Sequence, residues 1–242
     1  MSFWLSYRIS FPQDPAAGNP VAFRLKKILI TAGPTREMLD PVRFLSNLST
    51  GEMGYALAKE AVARGYQVSL VSGPTNLRPP KGVKFYPVVS ALQMKKVCTE
   101  LFPGQDGLIM TAAVCDFMPV SPLPHKISSR KGLTLKLQRT PDILAALAKQ
   151  KGARVVIGFC LETRNLIRRA KEKLARKKLD GMVANFYDPK YRIPFGKRRV
   201  EVHLIDAKGK IRRFPDRSKV RIAKELLGWM KGLRSYRSPS RL

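Results

Sequence analysis

Short apolar runs, each about a strand in length, alternate along this chain with longer stretches whose apolar residues recur at helical spacing. That alternation restricts the fold more than any other feature. "KKILITAG", "YQVSLVSGP", "DGLIMTAAV", "ARVVIGF" and "DGMVAN" are nearly continuous apolar runs, as strands buried on both faces must be. Between them, "GEMGYALAKEAVARG" carries Ala and Leu at helical spacing and stops at Gly65. Ser90 and Gln93 form a capping box ahead of "ALQMKKVCTELF", and Thr140 is expected to cap "TPDILAALAKQ" with Pro141 in the first helical position. "NLIRRAKEKLARKKL" is a further helix. Parallel strands need covering crossovers, so the order predicts an α/β fold: a three-layer, Rossmann-like, mostly parallel sheet with helices on both faces. "LTLKLQ" alternates as a half-buried strand, "VEVHLIDAKGKIRRF" reads as two strands around Lys208-Gly209, and Ser218 opens a last helix, "KVRIAKELLGWM". Residues 26–232 are taken as one domain, residues 1–25 as a loosely attached extension, and residues 233–242 as a disordered basic tail.

Charge is unevenly spread. The formal net charge is +29, yet residues 1–121 hold 13 Lys and Arg against 8 Asp and Glu, whereas residues 122–242 hold 33 against 9, a net of +24. A field of this sign attracts phosphate-bearing ligands and, less selectively, nucleic acid. Three cysteines, Cys98, Cys115 and Cys160, are too few and too scattered for a disulfide framework or metal cluster, which fits a reducing, cytoplasmic setting. The first residues lack the pattern of a signal peptide, and no run approaches ~18 apolar residues, so no membrane partner is expected. His125 and His203 have no neighbours at metal-ligand spacing.

In a parallel sheet, ligands bind beyond the carboxyl ends of the strands, so the informative loops follow Ile30, Val114 and Phe159. The first departs from the dinucleotide pattern. Gly33 is followed by Pro34, and the next glycines are Gly51 and Gly54, so the G-x-G-x-x-G of an NAD(P)-dependent reductase is missing. The helix start is delayed by about twenty residues. The intervening "DPVRFLSNLSTG" gathers Arg43, Ser46, Asn47, Ser49 and Thr50 ahead of a helix N-terminus, whose free N–H groups favour an anion. Arg43 reads either as a phosphate or carboxylate partner or as the ion-pair partner of Asp40. Arg169, Lys173 and Lys177 recur every four residues and line one helix face at ~6 Å spacing, a ladder that suits a polyphosphate or simply faces solvent.

The stretches "TAGPTRE…DPVRFLSNLSTGEMG", "MTAAVCDFMP", "HKISS", "TPDIL", "GFCLET" and "KLDGMVAN", in this order over Lys26 to Asn185, resemble the phosphopantothenoylcysteine synthetases. Those enzymes join 4'-phosphopantothenate to L-cysteine in coenzyme A biosynthesis. The resemblance implies a ligase in which CTP, with Mg²⁺, activates the acid as an acyl-cytidylate with loss of pyrophosphate, after which the cysteine amine displaces CMP. It places Asn47 at the acyl group and Lys126 on a mobile loop that closes on the nucleotide. Met110, Thr111, Ala112, Asp116, Pro141, Asp142, Ile143, Leu144, Phe159, Lys173 and Lys177 fall at nucleotide-contacting positions. An amide at Asn47 suits its task, since it donates to developing charge without ionising. Phe159 has a core role as its alternative, and Asp116 is left between ribose, substrate and a metal shell.

The same resemblance implies a homodimer and a separate phosphopantothenoylcysteine decarboxylase acting next in the pathway, because no flavin-dependent decarboxylase portion precedes the matched stretch. It also has a departure. Where many bacterial members carry an Asp and later an Asn after "VAN", this chain has Phe186 and Arg198-Arg199. Nucleic-acid binding through the basic half is the competing reading. It has no recognisable motif and no aromatic stacking pattern behind it, so a nucleic acid is not required.

Overall fold

The computed structural model describes residues 25–128, 132–188, 190, 194–196 and 198–235. In chain order its elements are β1 (Lys27–Ala32), β2 (Arg36–Met38), β3 (Phe44–Ser46), α1 (Glu52–Ala63), β4 (Gln67–Ser72), β5 (Val83–Pro87), α2 (Ala91–Leu101), β6 (Gly107–Met110), β7 (Phe117–Pro119), β8 (Leu137–Arg139), α3 (Ile143–Lys149), β9 (Val155–Glu162), α4 (Leu166–Arg176), β10 (Gly181–Phe186), β11 (Val200–Asp206), β12 (Ile211–Arg217) and α5 (Lys219–Ser235). Eight strands form one sheet in the order β12-β11-β10-β9-β6-β1-β4-β5, parallel from β5 to β10 and antiparallel at β11 and β12.

Strand alternation sorts the core into two layers. Ile28, Ile30, Ile109, Ile157 and Val183 meet Leu57 and Ala61 of α1 and Ile222, Leu226 and Met230 of α5. The intervening Leu29, Leu108, Val156 and Met182 meet Met94 of α2, Leu147 of α3 and Leu174 of α4. Helices thus cover both faces, as the strand pattern predicts. The Ser90/Gln93 capping box is formed as expected, with Gln93 N–H donating to Ser90 Oγ at 3.3 Å.

Several elements differ from the sequence reading. The long first loop contains the β2–β3 hairpin, and β5 is an additional edge strand. "LTLKLQ" becomes strand only at its end, where β8 pairs with β7; Leu133, Leu135 and Leu137 remain exposed because no second layer among the described residues covers them. Thr140 does not cap α3. Its hydroxyl donates to the Cys115 carbonyl and its N–H to the Asp116 carbonyl, so Asp142 becomes the cap, accepting from Ala145 N–H, and Pro141 lies before the helix. Helix α5 continues to Ser235, past the boundary at residue 232. The proposed extension, apart from Leu25, and residues 236–242 of the tail lie outside the described residues.

Gly54 fixes how closely α1 approaches the sheet. A Cβ there would stand 2.5 Å from Ala32 Cβ and 2.7 Å from Thr111 Oγ1, neither at the end of a flexible side chain. Gly54→Ala is therefore expected to destabilise the fold by about 1–3 kcal/mol through overpacking, read as a lower urea midpoint. An unchanged midpoint would mean that α1 shifts at no cost.

Candidate active site

Strand order reverses beside β1: the chain leaves β1 through α1 to β4 on one side, and β6 lies on the other. Such a reversal opens a crevice at the carboxyl ends of the two strands. Here the two exits are stitched together. Thr111 Oγ1 donates to the Thr31 carbonyl at 2.6 Å, and Ala113 N–H to the Gly33 carbonyl at 2.9 Å. Thr35 returns the favour, its N–H meeting the Ala113 carbonyl at 3.2 Å and its hydroxyl accepting from Cys115 N–H at 2.9 Å. Asn47 joins this seam, with Nδ2 donating to the Ala113 carbonyl at 3.0 Å while the residue stays exposed.

The loop carrying Lys126 is tied to the same region by a buried carboxylate. Asp40 accepts from Val42 and Arg43 N–H through Oδ1, both at 2.8 Å, and from Ile127 N–H through Oδ2 at 3.0 Å. Arg43 lies 3.5 Å from the Asp40 carboxylate and donates to the Ile127 carbonyl at 3.1 Å, so it serves as a structural pair for Asp40 and a clamp on the loop. The Ile127 N–H above all, with the two other N–H groups and the Arg43 charge, outweighs burial and holds the Asp40 carboxyl below its ordinary value of 3.8. Lys126 itself is exposed, and its ammonium makes no hydrogen bond or ion pair among the described residues.

The remaining nominated residues fall on two sides of the sheet. On the α2–α4 side, Met110, Ile143 and Leu144 are buried core residues. Pro141 is half-buried before α3. The basic stripe is paired, not free: Lys173 and Arg169 share the buried Glu162 at 2.6 and 3.1 Å, and Lys177, just past the end of α4, pairs with Asp142 at 2.9 Å. Burial works against the Asp142 charge, but Lys177 and the Ala145 N–H leave its carboxyl below the ordinary value. Asp116 is exposed, and its carboxylate has no hydrogen bond or ion pair among the described residues. Cys115 and Cys160 are buried thiols, burial pushing Cys160 up to about 12.

At the carboxyl ends of the strands, Thr111, Ala112, Phe159 and Cys160 line a pocket of about 190 Å³ with the start of α1, Asn185 and Lys219; Phe159 belongs to the α1/α5 layer, and Ala112 and Cys160 to the other. Pro194 and Phe195 also line it, and Gly196 N–H reaches Thr50 Oγ1 at 3.2 Å. Lys219 donates to the Gly196 carbonyl and sits 3.5 Å from Glu52. Burial lowers the Lys219 pKa, and Glu52 offsets part of that shift. Asn185 and Lys219 were not nominated from sequence. Asn185 reads as the end of an apolar strand and Lys219 as one lysine in a basic helix, so neither carries a local signal.

Residues 23–233 match the family described as DNA/pantothenate metabolism flavoprotein, C-terminal domain. The chain belongs to this family. The coenzyme A biosynthesis bifunctional protein CoaBC of Bacillus subtilis is 48% identical over 162 residues, covering 66% of this chain and 40% of the relative. The protein of that name from Borreliella burgdorferi is 42% identical over 206 residues, covering 84% and 51%. The chain therefore spans about half or less of these two relatives. In structure, the crystallised C-terminal domain of a CoaBC protein is similar with a TM-score of 0.74 at 37% identity, over 87% of this chain and 96% of that one. The family's α/β sheet is thus shared over nearly the whole described chain. No helix among the described residues is long and apolar enough to cross a membrane.

The Asp40 clamp yields a pH test. Because the folded pKa is depressed, its charge contributes stability above the unfolded value of 3.8 and loses that contribution as pH falls through the lower folded value. The unfolding free-energy gap between wild type and Asp40→Asn should be full at neutral pH and close in acid. A gap that stays constant in urea titrations across that range would mean the carboxylate charge is not what holds the loop.

Proposed function

We propose that the chain is a phosphopantothenate–cysteine ligase of coenzyme A biosynthesis, activating 4'-phosphopantothenate with CTP. The observation that carries this reading is the bond from Asn47 to the Ala113 carbonyl, together with a loop held at Ile127 whose exposed Lys126 makes no hydrogen bond or ion pair among the described residues. Family membership and the similarity to CoaBC proteins support it.

In the first step the acid carboxylate oxygen attacks the α-phosphorus of CTP, and pyrophosphate leaves. The cysteine amine then attacks the acyl carbon, CMP departs with the C–O electron pair, and the amine proton passes to solvent. Lys126 would meet the negative charge of the departing pyrophosphate, since such transfers depend on charge placed where it develops. Asn47 Nδ2 would exchange the Ala113 carbonyl for the acyl oxygen, because an amide donor can serve both. The Ala113 carbonyl keeps the Thr35 N–H meanwhile.

Lys173 and Lys177 would reach nucleotide phosphate only by sharing or leaving Glu162 and Asp142, which makes them weaker anion partners than a free ladder. The described residues hold no group of three metal-ligating side chains. Mg²⁺ in this reading is carried by the nucleotide phosphates, with Asp116 as an available carboxylate, and it neutralises phosphate charge. The chain would act as a cytoplasmic homodimer, with a decarboxylase consuming its product.

The test is pyrophosphate release from phosphopantothenate with CTP or ATP, with and without cysteine. Release that requires the acid, favours CTP and yields CMP only when cysteine is added is expected; no acid-dependent release would overturn the reading. Lys126→Gln should slow pyrophosphate release about 10²-fold with the fold intact. Asn47→Asp, which places an anion by the acyl oxygen, should accumulate the acyl-cytidylate. If CTP binds but no intermediate forms, Asn47 belongs to the first step.

A further inference from the structure

Helix α5 and strand β12 together build a cationic face that the ligase chemistry does not use. Residues 211–235 carry 8 Lys and Arg against 2 Asp and Glu, a net of +6. On α5 the buried Ile222, Leu226, Trp229 and Met230 turn to the core, while Arg221, Lys224, Gly228 and Lys231 recur at i, i+3, i+7 and i+10 on the exposed side. That stripe runs for about 15 Å along the helix. Beside it, β12 is the last strand of the sheet. Its Arg212 stands opposite Leu204, a residue of the α1/α5 layer, so the arginine leaves the sheet on the side that α5 covers. We infer that this face is a nucleic-acid-binding surface, taking the phosphate backbone of a double helix without reading its sequence. The inference does not rest on the ligase reading.

The charges are available. Arg212 and Lys224 are exposed and make no hydrogen bond or ion pair among the described residues, and Lys231 lies over the Tyr66 ring, 5.9 Å from its centre, with no carboxylate partner among them. The two acids are engaged elsewhere, Glu225 with Arg221 at 3.2 Å and Asp216 with Arg199 at 2.8 Å. Gly228 lies between the lysines, and a Cβ added there would meet nothing within 4 Å. Packing therefore does not require this glycine, which weakens a helix interior relative to alanine; its missing side chain leaves room for a partner's backbone.

The chemistry of the face selects a duplex. Single strands are held by stacking bases on exposed aromatic rings, whereas here Trp229 is buried and Phe214 packs against the core. A membrane-bound helix inserts its apolar side, and that of α5 is already packed in the core. A protein partner calls for an apolar centre, yet on β12 and α5 the exposed large apolar residues are Ile211 and Val220. Phosphate remains, since Lys and Arg release the counterions condensed on a duplex whatever its sequence. As the outermost strand, β12 adds a row of backbone N–H groups that no further strand pairs, and such groups are common phosphate donors. Arginines on an edge strand also keep sheets from joining edge to edge, a role that predicts aggregation and not lost binding when they are removed.

The test compares two triple variants of equal charge. One carries Arg212→Gln, Lys224→Gln and Lys231→Gln; the other carries Lys81→Gln, Lys84→Gln and Lys95→Gln, exposed positions around β5 and α2 at the opposite edge of the sheet. Wild type should bind RNA and DNA duplexes of about 20 base pairs alike, with an affinity that falls steeply between about 50 and about 200 mM salt. The α5/β12 variant should lose about tenfold or more at the lower salt and show a salt slope shallower by about 2 to 3, while the β5-side variant stays within about threefold of wild type. Melting temperatures should match wild type in both. Lys224→Gln alone should lose about twofold or more, which keeps the test valid if the triple variant melts earlier. Equal losses in the two triple variants would mean that only the general field acts, and would overturn the assignment. So would no duplex binding by wild type, tighter binding to single-stranded RNA or to phosphatidylserine vesicles than to either duplex, or aggregation of the α5/β12 variant with unchanged duplex affinity.

Discussion

The hydrogen-bonded seam between the exits of β1 and β6 is the constraint on which the candidate site depends. Parallel strands end with unpaired backbone groups at the sheet edge, and here those groups pair with one another instead of with solvent. Thr31, Gly33 and Thr35 meet Thr111, Ala113 and Cys115 in strict sequence across a separation of 80 residues. A long loop with polar residues would otherwise sample many conformations. Anchored at this seam, it delivers Asn47 to one carbonyl and Gly51 to the start of α1. The Asp40 carboxylate extends the same logic outward, gathering three N–H groups from two loops onto one buried charge. Charge-assisted bonds of this kind are stronger than neutral ones, so the loop is held firmly at Ile127, next to the exposed Lys126.

The sheet itself divides the chemistry. Because side chains alternate across a strand, β9 turns Phe159 to the α1/α5 side and Cys160 and Glu162 to the other. The cationic stripe of α4 consequently meets Glu162 and not the pocket. Two cations around a buried carboxylate also compensate it, a requirement for any buried charge.

Most of the basic charge has no such duty. With 33 Lys and Arg against 9 Asp and Glu in the second half, even complete pairing would leave most cations free. Where pairs do form, as in Arg213 with Glu201 and Arg199 with Asp216, they are exposed and contribute little stability each. The remainder acts as a field, drawing anions toward this half of the molecule and weakening as salt is raised.

What the sequence determined by itself is local. Apolar runs specify the buried strands, Ser90 and Gln93 specify the start of α2, and the missing glycine spacing excludes a dinucleotide loop, because each depends on neighbours a few residues away. The motifs that identify the family are of the same kind. Tertiary structure decided the rest. Thr140 follows the rule for a helix cap, yet the Cys115 carbonyl takes its hydroxyl, and the alternating leucines of "LTLKLQ" lack a layer to pack on. The stripe of Arg169, Lys173 and Lys177 has a period visible in sequence, but its carboxylate partners come from β9 and the α3 cap. Asn185 ends an apolar strand without any mark, and only the packed fold shows that its oxygen is buried with no donor among the described residues. Backbone preference and periodicity are written in adjacent residues, whereas the partner of a polar atom depends on which distant segment the packed sheet brings beside it.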